Sequence, residues 1–408
     1  MKTDLNSSSH LFRFQMHFPL KKYLPFVSVV LVVLVGLLPV YFGSVISKNK
    51  QETEVLASQL SETNDQLASV SATLTHVTSE DQFVKNKELE EEIKNIQTAF
   101  NQSLQSYEDI LSLREKQAKV TDLEGQFSEI LDYLAKRNYA SASATLTGLQ
   151  NDISALESEL AAAVVVPESA PVSNSAPAAG GYNQQAVETE IGKFLVDILA
   201  ADLNSTRVIV ETASSSDCAD NCPVDSLASY VAKSGGFAGI NGPYFCPAEY
   251  PSCAGKSNSF DTLLMNKNKY YFNSDNNVYS SVPAVIFNGS SARFVGASSE
   301  WGRDTSVDAV IAAQPMLLSG GNITFGGDGD PKKGSRGSRS FIGTRGSSVY
   351  IGVVRGATVA EVSYVLKALG LEFALNLDSG GSTAFYVNGR YVAGPGRNTP
   401  FGIVLVRK

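Results

Sequence analysis

The segment Asn376-Leu377-Asp378-Ser379-Gly380-Gly381-Ser382-Thr383 sets one carboxylate, Asp378, after an apolar run and at the mouth of a glycine-rich turn. Gly380 and Gly381 can adopt positive φ and let backbone N–H groups converge on an anion, while Ser382 and Thr383 add hydroxyl donors. A carboxylate beside such a donor cluster suits acid–base work on an anionic substrate. The same residue types are common turn formers, so this stretch alone reads equally as a plain turn.

The elements that would hold Asp378 are legible on both sides. Val359 to Leu371 has helical spacing and ends near Gly370, and Phe373 to Leu377 then reads as a short buried strand. Ala384 to Val387 leads through Asn388-Gly389, a two-residue hairpin signal, into Arg390 to Val392.

Three more segments bear on the turn. Asn241-Gly242-Pro243-Tyr244-Phe245 follows a small apolar run, Ser338-Arg339-Ser340-Phe341-Ile342-Gly343 precedes a strand-like Val349 to Val354, and Arg397 stands ahead of Phe401 to Val406. In this order, and with the Asp378 turn, these elements resemble the phosphodiester glycosidase family. The resemblance covers about Thr206 to Lys408. It departs from the family pattern at Ser379, where a first glycine is usual, at Ser340, where threonine is usual, and at Pro243. Arg355-Gly356 also stands where Asp-Gly is frequent. None of the first three removes a charge, so the departures bear on the substrate more than on the general chemistry.

The resemblance implies hydrolysis of a sugar phosphodiester, and the residue inventory agrees. The only histidines are His10, His17 and His76, which excludes a Ser-His-Asp triad and a His-ligated zinc from the C-terminal half. Carboxylate, guanidinium, amide and hydroxyl remain. Glycosidases usually work with carboxylates, but a phosphate leaving group needs little acid help, and arginine grips phosphate through paired hydrogen bonds. The expected catalytic residues are Asp378, acting on the anomeric centre or its water, Arg339 and Asn241. Arg397, Gly380, Gly381, Ser382, Thr383 and Tyr244 are expected to bind substrate. Each arginine has a bland alternative as a solvated or ion-paired charge. Asp261, Asp304 and Asp308 are candidates for a second carboxylate. Asp328 and Asp330 hint at calcium, but the ligand set is short, so a surface loop is the favoured reading and neither metal nor other cofactor is expected. The basic Lys332 to Arg336 stretch could steer an anionic polymer.

All four cysteines, Cys218, Cys222, Cys246 and Cys253, cluster around the Asn241 element. Three pairings are open and spacing does not choose among them; one is the pair of local bridges, Cys218 with Cys222 and Cys246 with Cys253, which would staple the loops beside the site. Disulfides place the domain in an oxidising compartment. Leu24 to Ile46 carries no charge and is long enough for a membrane span, with Arg13, Lys21 and Lys22 before it. The expectation is a cytoplasmic tail over 1–23, a signal-anchor over 24–46 in the lipid bilayer of the cell membrane, and everything after it outside the cytoplasm.

No proline occurs between Val40 and Val166. Leu56, Leu60, Leu67, Val70, Leu74 and Val77 fall at heptad spacing, and helical runs recur over Leu89 to Leu111 and Leu146 to Leu160. A helical or coiled-coil stalk is expected over 47–163, with homo-oligomerisation as its use, then a Pro/Ala/Ser linker over 164–182 and the catalytic domain over 183–408. Residues 51–163 hold 8 Lys and Arg against 20 Asp and Glu, whereas 164–408 hold 19 against 20. The acidity belongs to the stalk, and no basic face for nucleic acid is left. Ala186 to Ala201 reads as a helix at Val187, Ile191, Phe194, Leu195 and Ile198, with others near Val224 to Ala232 and Val359 to Leu369. The expected fold class is thus an α+β, sheet-dominated C-terminal domain behind a transmembrane helix and a helical stalk. Its function would be cleavage of sugar-1-phosphodiesters in cell-envelope glycopolymers or phosphoglycans. A glycan-binding surface protein and another hydrolase on the same scaffold are the alternatives.

Overall fold

A computed structural model describes residues 24–79, 81–116, 118–162, 166–275 and 280–408; side chains at 24–35, 37, 38, 81, 161 and 162 are outside the description. The chain forms two compact units, Met1–Glu92 and Ile93–Lys408.

Helix α1, Leu24–Ser79, dominates the first unit. The membrane span expected over 24–46 is corrected here: among the described residues, no helix is long and apolar enough to cross a membrane. The expected tail over 1–23 lies outside the described residues. Leu56, Leu60, Leu67, Val70, Leu74 and Val77 are exposed along α1, and the single chain shows no coiled-coil seam there.

The second unit begins within helix α2, Asp81–Glu115, and continues through α3, Thr121–Ala135, and α4, Tyr139–Ala162. Ile110 and Leu113 of α2 pack with Leu123, Ile130 and Leu134 of α3 and with Leu146, Leu149 and Ile153 of α4 in one apolar cluster. This leaves the opposite, polar face of α2 free for other contacts.

Among the described residues the remainder builds three sheets, one of seven strands and two of five. In the first, Tyr182–Thr189 and Gly192–Asp202 form an antiparallel hairpin, which continues through Ser348–Ala357 and Gly337–Arg345 to Phe373–Asn376. The expected helix over 186–201 is therefore two strands. Residues 194 to 201 are buried without a break because both faces are covered, and a continuous apolar run does not distinguish strand from helix. Phe194, Val196, Ile198 and Ala200 face a helix, Val359–Ala368, whereas Leu199 and Ala201 face the core shared with the other sheets. Thr358 and Glu361 form a reciprocal cap at the start of that helix, worth about 1 kcal/mol.

The second sheet carries Ala238–Asn241, Phe385–Val387, Arg390–Ala393 and Phe401–Arg407. Asn388 and Gly389, at φ 48° and 91°, make the expected hairpin. A helix at Leu227–Lys233 packs on this sheet through Leu227, Tyr230 and Val231. The C-terminal region is thus built on β-sheets, with the helices Leu227–Lys233 and Val359–Ala368 packed against them.

Candidate active site

Asp378 lies where the first two sheets meet. Its strand, Phe373–Asn376, pairs with Gly337–Arg345, and Leu377 N–H donates to the Ser340 carbonyl at 2.9 Å. One residue later the chain changes partner, and Asp378 N–H donates to the Gly242 carbonyl at 3.1 Å. Three sequence-distant segments so converge within one turn of chain.

Asn241 locks that junction. Its Nδ2 donates to the Asp378 carbonyl at 2.7 Å and the Gly242 carbonyl at 3.2 Å, and its Oδ1 accepts from Ser340 Oγ at 2.8 Å and Ala384 N–H at 3.1 Å. With 1% of its surface exposed, the amide is fully committed to protein partners.

The turn after Asp378 is a short 3-10 element, Gly380–Ser382, entered with Gly380 at φ 64°. Asp378 Oδ1 accepts from Ser379 N–H at 2.8 Å. Burial pushes the Asp378 carboxyl above the ordinary aspartate range, against the Ser382 hydroxyl and the Arg397 charge that pull it down. Gly394 and Gly396 wrap this turn, with positive φ and so little room that a Cβ would press on the Thr383 carbonyl at 2.9 and 2.7 Å. They deliver Arg397, whose N–H donates to the Gly381 carbonyl at 2.8 Å.

The Arg397 guanidinium is 9% exposed and lies 5.0 Å over the Tyr250 ring. Its Nη2 donates to the Glu115 carboxylate of α2 and, at 3.4 Å, to the Tyr250 hydroxyl. Glu249 stands 3.7 Å from Nη1. Among the described residues, Nε and Nη1 have no hydrogen-bond acceptor although both are buried. A buried guanidinium with two idle donors is costly unless an anion completes it.

Arg339 is buried as well, but its donors are engaged elsewhere: Nε on the Ala357 carbonyl at 3.2 Å, and Nη2 on the Lys332 carbonyl at 2.8 Å and on Ser335. It ties the Lys332 to Arg336 loop to the sheet. Tyr244 accepts from Asn376 Nδ2 at 2.8 Å, and burial followed by the Asp378 charge raises its hydroxyl pKa. Thr383 Oγ1 donates to the Ser338 carbonyl.

Of the second-carboxylate candidates, Asp304 caps its own loop at Ser306, and Asp308 is held by Arg207 and Gly289 N–H. Asp261 is near enough for its charge to add to the upward push on Asp378. Asp328 pairs with Lys333, and Asp330 caps Lys332 N–H, so both carboxylates of the surface loop are engaged. Arg355, at the position where the family pattern departs, pairs with the buried Asp197. Both local disulfides form, Cys218 with Cys222 and Cys246 with Cys253, and the second closes the loop that carries Glu249 and Tyr250. Glu115 and Tyr250 escape sequence reading altogether, since neither stands in a motif.

Solved structures with similar chains include a hypothetical protein from Synechocystis, at 12% identity and TM-score 0.43, covering 56% of this chain and 62% of that one. Another is the zebrafish N-acetylglucosamine-1-phosphodiester alpha-N-acetylglucosaminidase catalytic domain, described as auto-inhibited by pro-peptide, at 14% identity and TM-score 0.44, covering 57% and 87%. The chain thus spans less than two thirds of the Synechocystis protein. No curated protein sequence matches the chain. The phosphodiester glycosidase family model matches residues 237–406, the stretch that holds Asn241, Arg339, Asp378 and Arg397.

Proposed function

We propose that the domain hydrolyses the bond between the anomeric carbon of a sugar and a phosphodiester oxygen, outside the cytoplasm. The observation that carries this reading is Arg397: a buried cation with idle Nε and Nη1, packed on the glycine turn beside Asp378. An anionic ligand at that point supplies the missing acceptors, and the planar fork matches a phosphate.

In this reading water adds to the anomeric carbon with Asp378 taking its proton. The bond from that carbon to the phosphate oxygen breaks, and the electron pair leaves with the phosphate monoester. The raised Asp378 pKa makes it a stronger base than an exposed aspartate. Arg397 and the Gly380–Thr383 turn hold the leaving phosphate, while Asn241 and Arg339 position the turn and the loop rather than touch the sugar. A cleft of about 350 Å³ runs past Gly381, Lys116, Arg336 and Arg355, which suits an anionic chain continuing beyond the cleaved bond. Envelope glycopolymers and phosphoglycans have that chemistry. The two disulfides support an oxidising compartment.

The test is release of free sugar from a panel of sugar-1-phosphodiesters by the purified protein, with Asp378→Asn in parallel. Turnover that the substitution abolishes supports the reading. A folded protein that binds these ligands but turns over none would make it a glycan-binding domain.

A further inference from the structure

Helix α2 reaches the site with three residues spaced at i, i+4 and i+7, Glu108, Ser112 and Glu115, which share one face of a helix. Glu108 is buried; it accepts from Ser252 N–H at 3.2 Å and stands 3.5 Å from Lys332. Its contacts hold the disulfide loop on one side and the basic loop on the other. Ser112 lies over Gly380. Glu115 lies over Gly381 so closely that any Cβ there would collide with its carboxylate, and it binds Arg397 Nη2. The opposite face, with Ile110 and Leu113, is locked into the helical cluster. The helices therefore form one wall of the site.

The nitrogen that Glu115 takes is the decisive one. A guanidinium offers two edges with parallel N–H pairs, Nε with Nη2 and Nη1 with Nη2, and both edges share Nη2. Nη2 has one hydrogen along each edge, and the Glu115 carboxylate and the Tyr250 hydroxyl accept from it; while both contacts stand neither edge can grip a phosphate with two bonds, and the negative charge of Glu115 opposes a second anion beside it. This accounts for the two idle donors: the carboxylate satisfies one nitrogen and blocks the geometry that would satisfy the rest.

We propose that Glu115 is a tethered occupant of the anion subsite, so that substrate phosphate must displace it and α2 acts as a latch on the active site. This rests on the reading of Arg397 as the phosphate-binding residue. The latch also sets specificity, because a ligand must carry enough negative charge to compete with an intramolecular carboxylate, which favours phosphodiesters over neutral glycosides. When the carboxylate swings away, Nη2 joins Nε or Nη1 to form the fork, and the wall formed by Glu108 and Ser112 loses its strongest anchor to the glycine turn.

The experiment titrates inorganic phosphate into full-length wild type, Glu115→Gln and Glu115→Ala by calorimetry. Removing the competitor is expected to tighten phosphate binding about 10-fold or more in both variants. On a sugar phosphodiester, KM falls and kcat does not. Phosphate affinity that is unchanged or weaker in both variants overturns the latch, and so does a collapse of kcat in Glu115→Gln, which would make Glu115 a catalytic carboxylate. The wild type supplies a check that needs no substitution: saturating phosphate is expected to speed backbone amide exchange over 108–116, and unaltered exchange there overturns the proposal. The phosphate titration does not depend on turnover. If no sugar phosphodiester is ever cleaved, the hydrolase reading falls while the latch is still decided.

Discussion

Asn241 Nδ2 lies 2.7 Å from the Asp378 carbonyl, and the same amide receives Ser340 Oγ at 2.8 Å through its oxygen. One side chain thus fixes the strand that ends in Asp378, the strand that carries Arg339, and its own. Asn241→Asp keeps the shape but turns a donor toward two carbonyl oxygens into an acceptor. Asn241→Ala leaves Ser340 Oγ and Ala384 N–H buried without their partner. Each variant is expected to lose about 3 kcal/mol of stability and most of its turnover, read from the urea midpoint and kcat. Retained stability with lost turnover would instead mean that Asn241 touches substrate.

Asp378 is expected to trade stability for chemistry. Burial raises its carboxyl pKa, so the folded state holds the proton more tightly than the unfolded chain does. The sign follows: its contribution to stability is fully present below the unfolded pKa and is lost as pH rises through the raised folded value. Asp378→Asn is neutral at every pH. It should melt higher than wild type at pH 7, show no such gain near about pH 3, and lose roughly 10²-fold or more in turnover. A variant that melts lower at pH 7 would show that the charged form is stabilised by its turn.

Sequence legibility follows the range of the interactions. The Asp378 turn, the Asn388-Gly389 hairpin and helix Val359–Ala368 are local, and each is written in a few consecutive residues with a physical signature. The cysteine cluster is visible in sequence, but the choice of Cys218 with Cys222 and Cys246 with Cys253 among three pairings comes from the structure. Gly192–Asp202 is misread as a helix because burial on both faces erases the two-residue alternation. Glu115 is invisible for another reason: it joins Arg397 across 282 residues, and nothing in a run of acidic helix marks one glutamate as facing a site. The roles of Arg339 and Asn241 could not be read from type alone, since an arginine gripping phosphate and one gripping carbonyls look alike in sequence.

Arg339 sets up a test of that difference. Its guanidinium spans the Ala357 carbonyl on one side and the Lys332 and Ser335 carbonyls on the other. Lysine keeps the charge but cannot reach both sides with a planar fork. Arg339→Lys is expected to cost about 2 kcal/mol in stability and to raise KM through a loosened Lys332 to Arg336 loop, with kcat falling less. If stability is intact while phosphate affinity drops, Arg339 binds the phosphate directly and the loop-holding role is wrong.

The Cys246–Cys253 bridge offers the last prediction, because what it closes is the platform under Arg397. Tyr250 lies inside that loop, its ring 5.0 Å beneath the guanidinium, and Ser252 N–H within it meets Glu108. By loop-closure entropy the bridge is worth about 2.5 kcal/mol, and the Cys218–Cys222 bridge about 2 kcal/mol. Similar stability losses are therefore expected from the two double serine variants. Function should separate them: loss of Cys246–Cys253 frees Tyr250 and weakens phosphate binding, whereas loss of Cys218–Cys222, whose sulfurs lie outside the Arg397 contacts, should leave phosphate affinity unchanged at temperatures where both variants are folded. Thermal melts paired with phosphate titration decide this. Equal loss of affinity in both variants would mean that the bridges act through overall stability and not through the Tyr250 platform.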